Sequence, residues 1–197
     1  MRKIIICLAL IQLSSCQQIA KMATGFKNPK IENTNSIKTF MEENELDKGI
    51  NLMSKDKKSY VQLLSIFNKK LPEAVLFDRN GDELLYKENA ESCNAGLFKI
   101  LPSLMPESTL KKGEHNLTKL INNYTTPLSG TLPQVDGVAD FYLVINWAKF
   151  VGKKNKDHVL EWEKLAQNNS KTKIKVIKLN MDFREGWDLT NEDIKIR

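Results

Sequence analysis

The stretch "DFYLVINWAKFVGKKNKDHVLEWEKLAQNNSKTKIKVIKLNMD", residues 140–182, constrains the fold more than any other part of the chain. It opens with Phe141–Trp147, whose run of Phe, Tyr, Leu, Val and Ile predicts a buried strand. Residues 153–168 then place Val159, Trp162, Leu165 and Ala166 on one side of a predicted amphipathic helix. Next, "KIKVIKLNMDF" alternates lysine with Ile, Val and Leu, which predicts a half-exposed strand. Strand, helix and strand in that order need a crossover, so the two strands lie parallel with a right-handed connection. The fold class this implies is α/β.

Upstream, "LPEAVLFDRNGDELLYKE" reads as a hairpin: Ala74–Phe77 is a short apolar run, Asn80-Gly81 a reversal, and Glu83–Lys87 a return strand. Asn-Gly between apolar runs is a strong hairpin signal because a tight two-residue turn asks both positions for positive φ. "KSYVQLLSIFNKK" puts Tyr60, Leu63, Leu64 and Phe67 on one helical face. From Ser36 to about Met53, Ile37, Phe40, Met41, Leu46 and Ile50 also fall at loosely helical spacing. A short helix is expected at "NAGLFKILPSLM", stopped near Pro102, and another turn or two at "EHNLTKLINNY". Residues 125–137 read as a loop, and Thr190-Asn191-Glu192-Asp193 as a capping box.

The N-terminus carries a different signal. Arg2 and Lys3 precede an apolar run from Ile4 to Leu13, which closes on small residues before Cys16. A basic flank, a short apolar core and small residues are the parts of a secretory signal, and the run is shorter than the ~20 residues that span a bilayer. Leu13-Ser14-Ser15-Cys16 resembles the bacterial lipobox. That resemblance implies cleavage before Cys16, lipidation of its thiol, and anchorage in the bacterial cell envelope by buried acyl chains. Residues 17–37 are polar, include Gly25 and Pro29, and read as a tether.

Charge and cysteine usage narrow the functions. The formal net charge of +6 falls to +4 once Arg2 and Lys3 are removed, and lysines and glutamates are interspersed. No dense basic stripe interleaved with aromatics is present, which argues against nucleic acid. With Cys7 in the signal and Cys16 lipidated, Cys93 stands alone, so the mature chain forms no internal disulfide. Two histidines and one free cysteine do not make a dedicated transition-metal site.

"FYLVINWAKFVGKKNKDHVLEWEKLAQNNSKTKIKVIKLNMD" resembles the strand, active-site turn, helix and second strand of the thioredoxin family. That family's turn reads Trp-Ala-x-Trp-Cys-Gly-Pro-Cys-Lys. Trp147 and Ala148 match it, Phe150 stands for the second tryptophan, Gly152 keeps the glycine, and Val151 and Lys154 occupy the cysteine positions. The hairpin resembles the family's proline-led strand and final strand, with Pro72 in the place of the usual cis-proline. In the family the hairpin follows the active-site unit, whereas here it precedes it. Either the order is circularly permuted, or two incomplete pieces build a related sandwich with a mixed sheet of about four strands. Dithiol exchange needs one thiolate to attack and a second thiol to resolve, and valine and lysine do neither.

The reading is a signal peptide at 1–15, a lipidated N-terminus and tether at 16–37, and a thioredoxin-like α/β domain at 38–197. The domain lacks the redox dithiol and needs neither cofactor nor metal. It acts as a binding or assembly module, holding a protein partner at Trp147, Phe150, Gly152, Lys153, Lys154 and Pro72, with the membrane engaged through the lipid. A rival is a one-cysteine thiol oxidoreductase or peroxidase relative working through Cys93, which opens a predicted helix where the dipole favours a thiolate. A third is a small-anion or peptide receptor at Gly152-Lys153-Lys154, where free backbone N–H groups and ammonium charge would meet.

Overall fold

The computed structural model describes residues 25–87, 94–190 and 192–194. Residues 1–15, Cys16 and Cys93 lie outside the described residues. In chain order the elements are β1 (Ile31–Glu32), α1 (Thr34–Glu43), β2 (Ile50–Ser54), α2 (Lys57–Ile66), β3 (Ala74–Asp78), β4 (Asp82–Leu85) and α3 (Ala95–Ser103). They continue as β5 (Lys111–Asn116), α4 (Leu117–Tyr124), β6 (Thr125–Pro127), β7 (Phe141–Trp147), α5 (Glu161–Gln167), β8 (Ile174–Asn180) and β9 (Phe183–Arg184).

One seven-stranded mixed sheet, in the order β5-β4-β3-β7-β8-β2-β6, forms the middle layer. β7, β8 and β2 run parallel, while β3 joins β7, β4 joins β3, β5 joins β4 and β6 joins β2 in antiparallel fashion. β7 is buried along its whole length, as its run from Phe141 to Ile145 leads one to expect, and Asn146 is buried with it. Its side chains alternate between two cores. Leu143, Ile145 and Trp147 meet Ile37 and Met41 of α1, Leu97 and Leu101 of α3, and Trp162 and Ala166 of α5. Tyr142 and Val144 meet Tyr60 and Leu63 of α2 and Leu117, Leu120 and Ile121 of α4 on the opposite face. The architecture is thus an α/β sandwich with helices on both sides of the sheet, consistent with a thioredoxin-like arrangement.

The hairpin and the β7–β8 unit share this sheet, with β3 lying against β7 in the register Leu76 opposite Leu143. The hairpin nevertheless comes before that unit in the chain, the reverse of the order in the thioredoxin family. The expected sheet of about four strands has seven. β5 and β6 escape sequence reading because "KKGEHN" and "TTP" carry almost no apolar pattern.

Three local expectations are corrected. The helical spacing from Ser36 ends at Glu43, because Glu45 (φ 59°) and Gly49 (φ 72°) turn the chain into β2, and Ile50 belongs to that strand. In the hairpin Gly81 alone takes positive φ (81°). Gly81 donates to the Asp78 carbonyl at 2.9 Å while the Asp78 carboxylate accepts from Asn80 and Asp82, which gives a three-residue turn instead of the two-residue form. β8 is not half-exposed: it lies between β7 and β2, and Ile177–Asn180 are buried.

That last correction places a lysine in the core. Lys178 points to the α5 side with none of its surface exposed, and its ammonium meets both oxygens of Glu163 at 2.8 and 2.9 Å. Helix starts are capped by short polar side chains: Asn33 accepts from Ser36, Asp56 from Ser59 and Asn116 from Lys119. At the C-terminal end the Asp193 carboxylate accepts from the Thr190 N–H and hydroxyl.

Candidate binding site at the turn after β7

The carboxyl ends of the parallel strands β7, β8 and β2 open on one edge of the sheet, the edge where open α/β sheets place ligands. Residues 148–154 cross that edge. Ala148 leaves β7, Lys149–Val151 make one 3-10 turn, and Gly152 (φ 64°, ψ −129°) takes a conformation that residues with a Cβ rarely adopt. The helix expected over 153–168 follows, entered through a π-helical turn at Asn155–Leu160 before α5.

Three buried polar side chains hold this turn. The Asp182 carboxylate, just past β8, accepts the Lys149 N–H with both oxygens at 3.0 Å. Asn155 turns inward and donates to the Ala148 carbonyl at 2.7 Å. Asn146 ties β7 to the loop before β3: its Oδ1 accepts the Glu73 N–H at 2.5 Å and its Nδ2 donates to the Lys70 carbonyl at 3.0 Å. The Leu71–Pro72 peptide bond within that loop is cis, as the resemblance implied. Leu71 packs on the cluster of Ala148, Phe150 and Val151. Sequence residues 71–72 and 148–152, some eighty positions apart in the chain, are therefore neighbours in space.

The residues expected to form a binding surface differ in what they offer. Trp147 is wholly buried and lies parallel to Phe40 with centroids 6.0 Å apart, so it is core. Pro72 is buried, and Phe150 is 9% exposed. Lys153 and Lys154 are exposed. The anion-receptor reading needs free N–H groups here. Those of Val151, Gly152 and Asn155 already bond to the carbonyls of Ala148, Lys149 and Gly152.

Sequence reading missed what lies above the turn. From Gly25 onward the segment read as a tether is folded onto the domain. The Lys27 N–H donates to the Phe150 carbonyl at 2.8 Å, and the Phe26 ring meets Phe150 edge-on with centroids 5.7 Å apart. A Cβ on Gly152 would collide with the Gly25 carbonyl, so the chain passes where a side chain would otherwise stand. β1 then pairs with β9 in a separate parallel two-stranded sheet, and Glu32 reaches the Lys149 ammonium at 2.6 Å. The rings of Phe26, Phe150, Phe183, Tyr60 and Trp187 follow one another in contact across this edge.

Sequence reading also missed the charge beneath. Asp182 is 1% exposed. Burial pushes its carboxyl up from 3.8 to about 6, opposed by the hydrogen bonds from the Lys149 amide and the Asn180 side chain. The nearby Glu32 carboxylate adds to the rise and the Lys149 ammonium works against it. Tyr60, pushed up to about 12 by burial and by the charge of Asp182, stays neutral throughout the ordinary range.

Chemically the edge offers a buried acid, apolar and aromatic surface, and exposed ammonium groups. At the positions matched to cysteines it presents a buried valine and an exposed lysine. No group of three or more His, Cys, Asp or Glu residues able to hold a metal occurs among the described residues. No helix among them is long and apolar enough to cross a membrane. Comparison of the chain with protein-family models, with curated proteins and with solved structures finds no match.

Proposed function

We propose that this is a lipoprotein of the bacterial cell envelope, anchored through Cys16, whose thioredoxin-like domain is redox-inactive and serves to bind a protein partner at the turn after β7. The observation that carries the reading is the composition of that turn. It is built to a fixed shape by Asp182, Asn155 and Asn146, yet Val151 and Lys154 stand where exchange chemistry would need thiols. A scaffold that keeps its shape without a nucleophile can bind but cannot transfer electrons. Phe150, Leu71 and Phe183 supply apolar contact, and Lys153 and Lys154 a charged rim, the usual division of a protein-binding surface.

Three measurements test it together. Radiolabelled palmitate should enter the wild-type chain and not Cys16→Ser. Neither the wild type nor Cys93→Ser should reduce insulin. A photo-crosslinker at position 154 should give a discrete adduct in intact envelopes that one at Lys111, on the distant edge strand, does not. Insulin reduction that disappears in Cys93→Ser would replace the binding reading by the one-cysteine enzyme.

A further inference from the structure

We propose that residues 25–27 are a displaceable strap occupying the slot above the turn, and that the vacated slot takes an extended polypeptide segment bearing an aromatic side chain. The inference rests on the turn being a protein-binding surface and adds what fits there and what keeps it closed.

The occupant defines the chemistry of the slot. Phe26 packs with Phe150, Val151, Leu71 and Phe183, an apolar floor in which Phe150 and Val151 are buried and Leu71 and Phe183 half-buried. Beside it the Phe150 carbonyl accepts a single backbone N–H, that of Lys27. An aromatic ring on apolar surface, next to one main-chain hydrogen bond, is how an extended segment docks on a receptor backbone. Gly152 deepens the slot, because the absence of a Cβ lets the passing Gly25 carbonyl come close.

The strap is attached lightly enough to leave. Residues 25–27 belong to no strand of the seven-stranded sheet, and Lys27 and Asn28 are exposed. Beyond them Pro29 is buried, Ile31–Glu32 pair with β9, and Glu32 holds Lys149, so the chain is fixed again within a few residues. Asn28 is therefore the hinge. Lifting the strap breaks the Lys27–Phe150 bond and the Phe26–Phe150 contact and leaves β1, α1 and both cores in place. Segments with few buried contacts open well below the free energy of global unfolding. A strap held in cis also competes at high effective concentration, so a partner added in trans meets a closed slot.

The test uses the chain from residue 17 onward, which keeps every described residue, and a fluorescent synthetic peptide of residues 22–30 as the probe. In wild type, the Lys27 amide should exchange with solvent hydrogen at least about 100-fold faster than that of Val144 in β7. The labelled peptide should bind Phe26→Ala at least about tenfold more tightly than wild type. A peptide carrying alanine in place of Phe26 should not bind the variant. Equal protection at Lys27 and Val144 would make the segment an integral part of the core and overturn the proposal, as would a folded Phe26→Ala chain that ignores the peptide. Should Phe26→Ala fail to fold, the exchange comparison in wild type decides. Peptide capture by Phe26→Ala with no adduct at position 154 keeps the strap and its peptide-binding slot and removes only the envelope partner. An adduct with a strap that never opens does the reverse.

Discussion

Replacing Asp182 by asparagine should make the protein more stable at neutral pH, and by an amount that depends on pH in a specific way. The carboxyl titrates at 3.8 in the unfolded chain and at about 6 when folded, because burial outweighs the Lys149 and Asn180 hydrogen bonds. Between those values the folded state holds a proton that the unfolded state has released. Stability therefore falls as pH rises through the window from about 4 to 6 and is level above it. At about 1.4 kcal/mol per tenfold change in acid strength, the displacement amounts to about 3 kcal/mol. Asparagine keeps one oxygen for the Lys149 N–H, gives up the acceptor of the Asn180 side-chain N–H at a cost of about 1 kcal/mol that does not vary with pH, and cannot ionise. Urea unfolding of both chains from pH 4 to 8, with tyrosine or tryptophan fluorescence as readout, gives the difference directly. The variant should gain on the wild type by about 3 kcal/mol between pH 4 and 7, then run parallel to it. Tyr60, raised to about 12, stays neutral across this range in wild type and variant alike, and the distant carboxylates cancel in the comparison. A difference that is constant with pH, or one in which the wild type gains as pH rises, would refute the reasoning.

Two further substitutions probe the buried polar groups that hold the fold. Glu163→Gln leaves the fully buried Lys178 ammonium without its counter-charge and should cost about 3–5 kcal/mol in thermal or urea unfolding, whereas Glu163→Gln combined with Lys178→Met should recover most of it. Asn146→Ala strands the Glu73 N–H and the Lys70 carbonyl and should cost about 2–4 kcal/mol, with faster amide exchange at Glu73 before any loss of the β7–β8 ladder.

The sequence was most informative where one element's side chains all face the same medium. Phe141–Ile145 and Trp147 are apolar because both faces of the strand are covered, the one polar residue among them, Asn146, has its amide hydrogen-bonded, and the bounds coincide with β7. Tyr60, Leu63 and Phe67 are buried on one side of α2 and its cap, as their spacing predicted. Reading failed where a strand exists for its partner's sake. In β5, Gly113–His115 bulge outward because the Glu83 carboxylate accepts the N–H groups of Glu114 and His115, a tertiary contact with no local signature. Lys178 misled for a similar reason: alternation with lysine suggests a solvated face, and only Glu163, on another element, makes its burial tolerable. Trp147, Phe150, Gly152 and Pro72 were found by the order of letters, yet the sequence gives no sign that Phe26, in a polar stretch more than a hundred residues before Phe150, would pack on that ring.

The covering segment bears on why the turn lacks thiol chemistry at more than one level. Val151, at the first position matched to a cysteine, has none of its surface exposed, being enclosed by Ala148 and Phe150 with Phe26 and Leu71 packed on the cluster. Thiol exchange needs a sulfur that is both ionised and reachable. Here the Asp182 carboxylate, buried under the Lys149 N–H two residues before Val151, would oppose a second anion, and the Lys149 ammonium is already engaged by Glu32. A cysteine placed at 151 would thus be enclosed, apolar in its surroundings and pushed toward the neutral thiol, three conditions that each suppress nucleophilicity. Sequence and surroundings agree at this position: there is no sulfur, and the environment would not favour a thiolate. What the same environment does support is contact: rings touching in series from Phe26 to Trp187, a fixed turn, and the Phe150 carbonyl that accepts the Lys27 N–H.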